Sequence, residues 1–170
     1  MDELNDAFVF GNQRTATQDV EFSLHQLVEI AVRALSPGIN DPFTAIACVD
    51  RLGSALCRLA RRDAPSALRY DDEGRLRLVA PGSGFAGMVD AAFNQIRQSA
   101  RSNPAVAIRM LDVIAQIAGH VRQTRDAACL QRQAGMIVRG VRDAVPEADD
   151  RLAVEASFTA ADQVLRSLRG

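Results

Sequence analysis

The chain has no tryptophan, a single tyrosine and no lysine, so all 20 of its basic residues are arginine. Without lysine there is no Schiff-base or lysine-nucleophile chemistry, and no phosphate loop of the type that ends in Gly-Lys. Aromatic residues make up only 5% of the chain, too few to build a base-stacking platform for single-stranded nucleic acid. The three cysteines (Cys48, Cys57 and Cys129) are odd in number and include no Cys-x-x-Cys pair. That argues against a disulfide framework and a cysteine zinc site, and fits a reducing compartment. Only two histidines occur, His25 and His120, and neither belongs to a His-Glu-x-x-His pattern. A net charge of −1 provides no global field for nucleic acid or an acidic surface. No apolar run approaches the length of a membrane-spanning helix, and the acidic start Met1-Asp2-Glu3 is unlike a signal peptide. The chain is therefore expected to be soluble, with no cofactor and no metal.

What is present is helical patterning. The 170 residues fit one domain, and a hydrophobic fraction of 48% dominated by Ala, Leu and Val favours packed helices over sheets. Residues 1–18 read as an arm or linker with a possible short strand at 7–10. Helices are expected at roughly 19–35, 42–62, from Phe85, 104–121, 124–143 and from Pro146-Glu147 onwards. The fourth is apolar on most sides and belongs in the middle of the bundle. In the sixth, Leu152, Ala156, Ala160, Val164 and Leu168 are expected to be buried. Between the second and third helices, residues 67–80 alternate around Asp71-Asp72-Glu73-Gly74. This predicts a β-hairpin with Gly74 in the left-handed region. A lone hairpin is marginal in water, so it is expected to lie on the helices or gain a strand, with Ala7–Phe10 as a candidate. The fold class is mainly α: a single-domain bundle of about six helices with one inserted hairpin.

The most heavily punctuated stretch is Arg33-Ala34-Leu35-Ser36-Pro37-Gly38-Ile39-Asn40-Asp41-Pro42-Phe43-Thr44. Pro37 ends the first helix, and Gly38 is expected to take the left-handed backbone that closes it. Asn40 or Asp41 caps the second helix, with Pro42 just inside it. Two readings attach to the charged residues here. In the first, an ion pair joins Asp50 to Arg33 or Arg14 and fixes the angle between the first two helices. In the second, Arg14, Glu29, Arg33, Asn40, Asp41 and Asp50 form a ligand pocket, helped by the free N–H groups of the second helix. The histidines, each with a Glu or Gln one turn away, read as structural. The basic stripe Arg125, Arg132 and Arg139 reads as a solvated face, with headgroup binding as its functional counterpart.

The run from Arg14-Thr15 through Gln18-Asp19-Val20-Glu21-Phe22 and Gln26-Leu27-Val28-Glu29-Ile30-Ala31 to Ala34-Leu35-Ser36-Pro37-Gly38-Ile39-Asn40-Asp41-Pro42 resembles the signature of a family of bacterial predicted membrane proteins of unknown function. The resemblance covers about residues 8–52 and departs from the family pattern at Ser23 and His25, where Gly and Arg are usual. It implies a soluble domain, either part of a parent with N-terminal transmembrane helices, on the cytoplasmic side of the bacterial inner membrane, or encoded without that anchor and cytoplasmic. It carries no activity with it. The expected function is thus a non-enzymatic oligomerisation or ligand-sensing module, a homo-oligomer with no nucleic-acid partner and no catalytic residues. The alternative is a hydrolase- or transferase-type enzyme with Asp41 and Asp50 as acid and base and with Arg14 and Arg33 holding an anion.

Overall fold

The computed structural model of the chain describes residues 19–62, 66–80, 82 and 84–168. Six helices and one hairpin follow in order: α1 Val20–Ala34, α2 Pro42–Ala60, β1 Leu68–Tyr70, β2 Leu76–Val79, α3 Phe85–Ser99, α4 Pro104–Ala118, α5 Thr124–Ala144 and α6 Ala148–Ser167. The fold is mainly α, as its sequence pattern predicts. The arm, the possible strand at 7–10 and Arg14 lie outside the described residues.

Helix starts are set by local capping. Asp19 Oδ1 accepts the Phe22 N–H at 3.1 Å to open α1, and Asn103 Oδ1 accepts the Val106 N–H at 3.2 Å to open α4, with Pro104 in its first turn. Each side chain satisfies an N–H that the helix leaves without a partner. Helix α4 stops at Ala118, earlier than its periodicity suggests. Gly119 caps it, and the His120 and Val121 N–H groups turn back onto the carbonyls of Ile117 and Ala118.

One core runs through all six helices, with Leu24, Leu52, Leu56, Phe93, Ile96, Leu130 and Leu165 among its fully enclosed side chains. Helix α4 contributes most of its length to this core, from Val106 to Ala118, and packs against α2, α5 and α6. Gly53 of α2 lets this pair of helices approach: a Cβ at that position would overlap Cγ1 of Val113 on α4. Helix α1 packs on α2 and α3, and α3 packs on α5.

One expectation of burial is corrected. In α6 the buried residues are Val154, Ala161 and Leu165, whereas Leu152, Ala156, Ala160, Val164 and Leu168 are all exposed. A strict four-residue spacing advances about 400° per step, so such a row drifts around the helix instead of tracking a straight seam. The buried positions, seven and four apart, stay in line with the core.

The hairpin pairs antiparallel, Leu68 opposite Val79 and Arg69 opposite Leu78, with an irregularity after Arg69. All seven strand residues are exposed, and no helix makes a substantial contact with it among the described residues. Of the two expected supports, the added strand at 7–10 lies outside the described residues; within them the hairpin is held locally. Asp71 accepts the Arg75 N–H at 2.8 Å, and its other oxygen accepts Nε–H of Arg75 at 3.1 Å and of Arg77 at 2.7 Å. These hydrogen bonds, the Arg75 N–H first among them, hold the Asp71 carboxyl below its ordinary range. Gly74, at φ 76°, takes the left-handed position.

Candidate functional site

The join between α1 and α2 is a tight seven-residue turn. Ser36 carbonyl accepts the N–H groups of Ile39 and Asn40 at 3.0 and 2.9 Å, and Asp41 N–H donates to the Ala34 carbonyl at 2.7 Å. The left-handed residue is Asn40, at φ 47°, and not Gly38. Asparagine is among the few residues with a side chain that tolerates this region.

Asp41 is the cap of α2. Its Oδ1 accepts the Thr44 N–H at 3.1 Å and its Oδ2 accepts the Thr44 hydroxyl at 2.5 Å. These two bonds, the hydroxyl's first, lower the carboxyl's affinity for a proton. Glu29 and Arg33 form an exposed pair on α1 at 2.8 Å. Together with Gln26, Ile30, Ala34, Ile39 and Thr44, the residues Glu29, Arg33 and Asp41 line an open groove of about 370 Å³. Its lining is apolar as well as charged, with Ile30 and Ile39 both exposed, and Phe43 in the first turn of α2 is 82% exposed.

The five described candidate residues therefore separate. Glu29, Arg33 and Asp41 line one groove, and Asn40 shapes its turn. Asp50 lies nine residues beyond Asp41, roughly 14 Å along α2 at the rise of an α-helix, and outside the groove lining. Among the described residues its partner is not Arg33 but Arg109 of α4, whose Nε donates to Asp50 Oδ1 at 2.5 Å. This bond raises the pKa of Arg109. The ion pair thus ties α2 to α4 rather than α1 to α2. Residues 59 apart carry no local signal of such a pairing, although Arg109 stands out as a charge on an otherwise apolar helix.

Elsewhere, His25 Nε2 faces Glu21 at 4.0 Å rather than Glu29, and His120 lies 3.3 Å from the Arg61 guanidinium. Among the described residues, no three metal-ligating side chains gather in one place. All three cysteines are free, and burial raises their pKa values, that of Cys129 to about 11. Thiols in that state are poor nucleophiles.

A second polar assembly was not legible in the sequence. Gln133 of α5 is fully buried, and its Nε2 donates to Asp90 Oδ1 at 2.7 Å and Asn94 Oδ1 at 2.8 Å on α3. Arg132 donates to both oxygens of Asp90, at 2.6 and 2.7 Å.

With this geometry described, similarity to known proteins identifies the lineage. Residues 1–116 match a family described as "Predicted membrane protein (DUF2254)". The chain belongs to this family. Over 155 residues it is 33% identical to uncharacterized protein Rv1290c of Mycobacterium tuberculosis (strain ATCC 25618 / H37Rv) and to uncharacterized protein Mb1321c of Mycobacterium bovis. The match covers 91% of the chain and 30% of each relative, so the chain spans less than a third of the length of these curated relatives. No solved structure matches it significantly. Among the described residues, no helix is long and apolar enough to cross a membrane. Any span that gives the family its description therefore lies outside them.

Proposed function

We propose that this domain is a non-enzymatic assembly module of a membrane protein, and that copies of it associate through α6. The observation that carries this reading is the row Leu152, Ala156, Ala160, Val164 and Leu168, exposed along one helix. Leu152 is 61% exposed and Val164 and Leu168 nearly 40%. Such a row is an i±4 ridge about 24 Å long. Two ridges of this kind interlock at about −50°. Alanines in the middle allow the axes to come close, while Leu152, Val164 and Leu168 supply apolar area at the ends. A two-fold pair of this sort is self-complementary.

The acid/base alternative finds less support, since Asp41 is engaged by Thr44 and Asp50 by Arg109, well apart along α2. The three free cysteines fit a reducing compartment. Attachment to the cytoplasmic side of a bacterial inner membrane is part of the same proposal, with the anchor in the remainder of the parent protein.

Sedimentation velocity over a range of concentrations tests it. The wild-type chain should approach dimer mass as concentration rises, and Ala160→Glu should remain a folded monomer. A wild type that stays monomeric into the high micromolar range, or an Ala160→Glu chain that associates equally well, would sink the reading.

A second reading is favoured by the groove at the α1–α2 turn, whose charged Glu29, Arg33 and Asp41 sit beside exposed Ile30 and Ile39. A small ligand with both charged and apolar parts would suit it. Binding there should raise the unfolding midpoint of wild type and leave Arg33→Ala and Asp41→Asn unmoved, because only native-state binding stabilises in this way. A panel of small metabolites that shifts none of the three proteins would remove this reading.

A further inference from the structure

Helices α3 and α5 run alongside each other in the same sense, and their seam gathers positive charge in a chain whose net charge is −1. Arg97 comes from α3, and Arg132 and Arg139 come from α5. The single carboxylate among them, Asp90, is already engaged by Arg132 and Gln133. Arg97 and Arg139 make no hydrogen bond or ion pair among the described residues. The guanidinium of Arg139 folds back over Gly135, within 3.2 Å of where a Cβ would stand, and so towards Arg132. Burial and the charges of Arg139 and Arg132 together weaken Arg97's hold on its proton.

Beneath these cations two buried atoms have no partner: the Nε of Arg97, a donor, and the Oε1 of Gln133, an acceptor. The amide of Gln133 cannot simply turn over, because Nε2 is needed by Asp90 and Asn94. Waters could satisfy the two orphaned atoms, but they would leave three guanidinium groups around one carboxylate. A hydrogen phosphate or phosphomonoester monoanion does more. Its oxygens accept from several arginine N–H groups in the geometry guanidinium favours, and its P–OH can donate to an amide oxygen.

We propose that the α3–α5 seam binds a phosphate group, held by Arg97, Arg132 and Arg139 and oriented by Gln133. In a family of membrane proteins that phosphate has two natural sources, a free phosphate compound or the phosphomonoester headgroup of phosphatidic acid.

The test has two arms. In the first, thermal unfolding is followed in sodium phosphate against sodium chloride of matched ionic strength. In the second, the chain is sedimented with phosphatidylcholine vesicles that contain phosphatidic acid and with vesicles of phosphatidylcholine alone. Wild type is compared with Arg97→Gln/Arg139→Gln, with Arg139→Gln alone, and with Arg51→Gln/Arg58→Gln as a charge-matched control on α2. Arg139 is exposed, so its single variant should fold even if the double variant does not.

The expected result is a rise in midpoint of roughly 3–6 °C at ten times the phosphate Kd. That rise should be reduced in Arg139→Gln, lost in the double variant and kept in the control. Binding to the phosphatidic acid vesicles with the same pattern, in place of the phosphate response, would support the site and identify a headgroup as its source. Silence in both arms would overturn the proposal, as would responses equal in wild type and Arg139→Gln.

Discussion

Helices α4 and α6 are both rich in apolar residues, yet the fold uses them in opposite ways. Helix α4 has eight buried residues in fifteen, from Val106 to Ala118, whereas α6 has three in twenty. The difference comes from neighbours. Among the described residues, helix α4 packs on α2, α5 and α6, while the substantial packing of α6 is on α4 and α5. An apolar residue on α4 finds a partner at almost any angle, but one on α6 must fall on a single narrow line. Hydrophobicity decides that a helix joins a bundle; the number of neighbours decides how much of it is covered. What remains uncovered on α6 is then available to something else.

The largest effects should come from the lines where both helices are closed. Ile114→Ala on α4 and Leu165→Ala on α6 both remove fully buried side chains. Each should cost about 2–5 kcal/mol in denaturant unfolding. If Leu165→Ala were nearly neutral, α6 would not be part of the cooperative core, and the comparison would fail.

Next comes Gly53→Ala, which sets a methyl group against Val113 where α2 crosses α4. Overpacking of this kind costs about 1–3 kcal/mol. Adding Val113→Ala should recover part of that loss, although Val113→Ala alone is destabilising. Two losses that simply add would show that this close approach does not depend on the missing Cβ.

Much of this framework was legible in the sequence because capping and turn chemistry act over a few residues. Asp19, Asn103-Pro104 and Gly74 play the roles their types predict. The α1–α2 turn shows the limit of such reading. Gly38, Asn40 and Asp41 each suit more than one position, and the choice falls to the hydrogen bond from Asp41 N–H to the Ala34 carbonyl. That closure makes Asn40 the left-handed residue and Asp41 the cap. Longer-range features left no local trace. Asp50 reaches Arg109 across 59 residues and Gln133 reaches Asp90 across 43. The exposed face of α6 was hidden by its own composition, since an apolar row reads as buried until its neighbours are known. Of the candidate site, Glu29, Arg33 and Asp41 do meet in one groove, because they flank one turn.

The caps sharpen the comparison at a smaller scale. Asn103 makes a well-placed bond to the Val106 N–H of α4, so Asn103→Ala should cost about 1 kcal/mol. Glu147 reaches only the first two N–H groups of α6, at 2.9 and 3.4 Å, and is solvent-exposed. Its replacement by Ala should be hard to detect in the same assay.

Asp41 adds a dependence on pH that Asn103 lacks. Its proton affinity in the folded chain is lowered from an ordinary value of 3.8. The stabilisation it contributes is therefore complete above that value and is lost as pH falls through the lower folded one. Asp41→Asn keeps an acceptor for the cap while removing the charge, so its midpoint should fall less steeply than that of wild type on acidification. Parallel curves for the two proteins would mean that other carboxylates govern the acid limb.

The smallest effect on stability should come from the open line of α6. Val164 is 37% exposed, one residue before the fully buried Leu165. Val164→Gln should change monomer stability by no more than about 0.5 kcal/mol. In association, however, the same change should count, because it places a polar amide in the row proposed to meet a second copy. The two measurements together separate one side of α6 from the other: Leu165→Ala loses stability, and Val164→Gln loses dimer. A Val164→Gln chain that is clearly destabilised as a monomer would show that this face already has a partner within the chain. The contrast between a closed α4 and a half-open α6 would then fail on the residue that states it most directly.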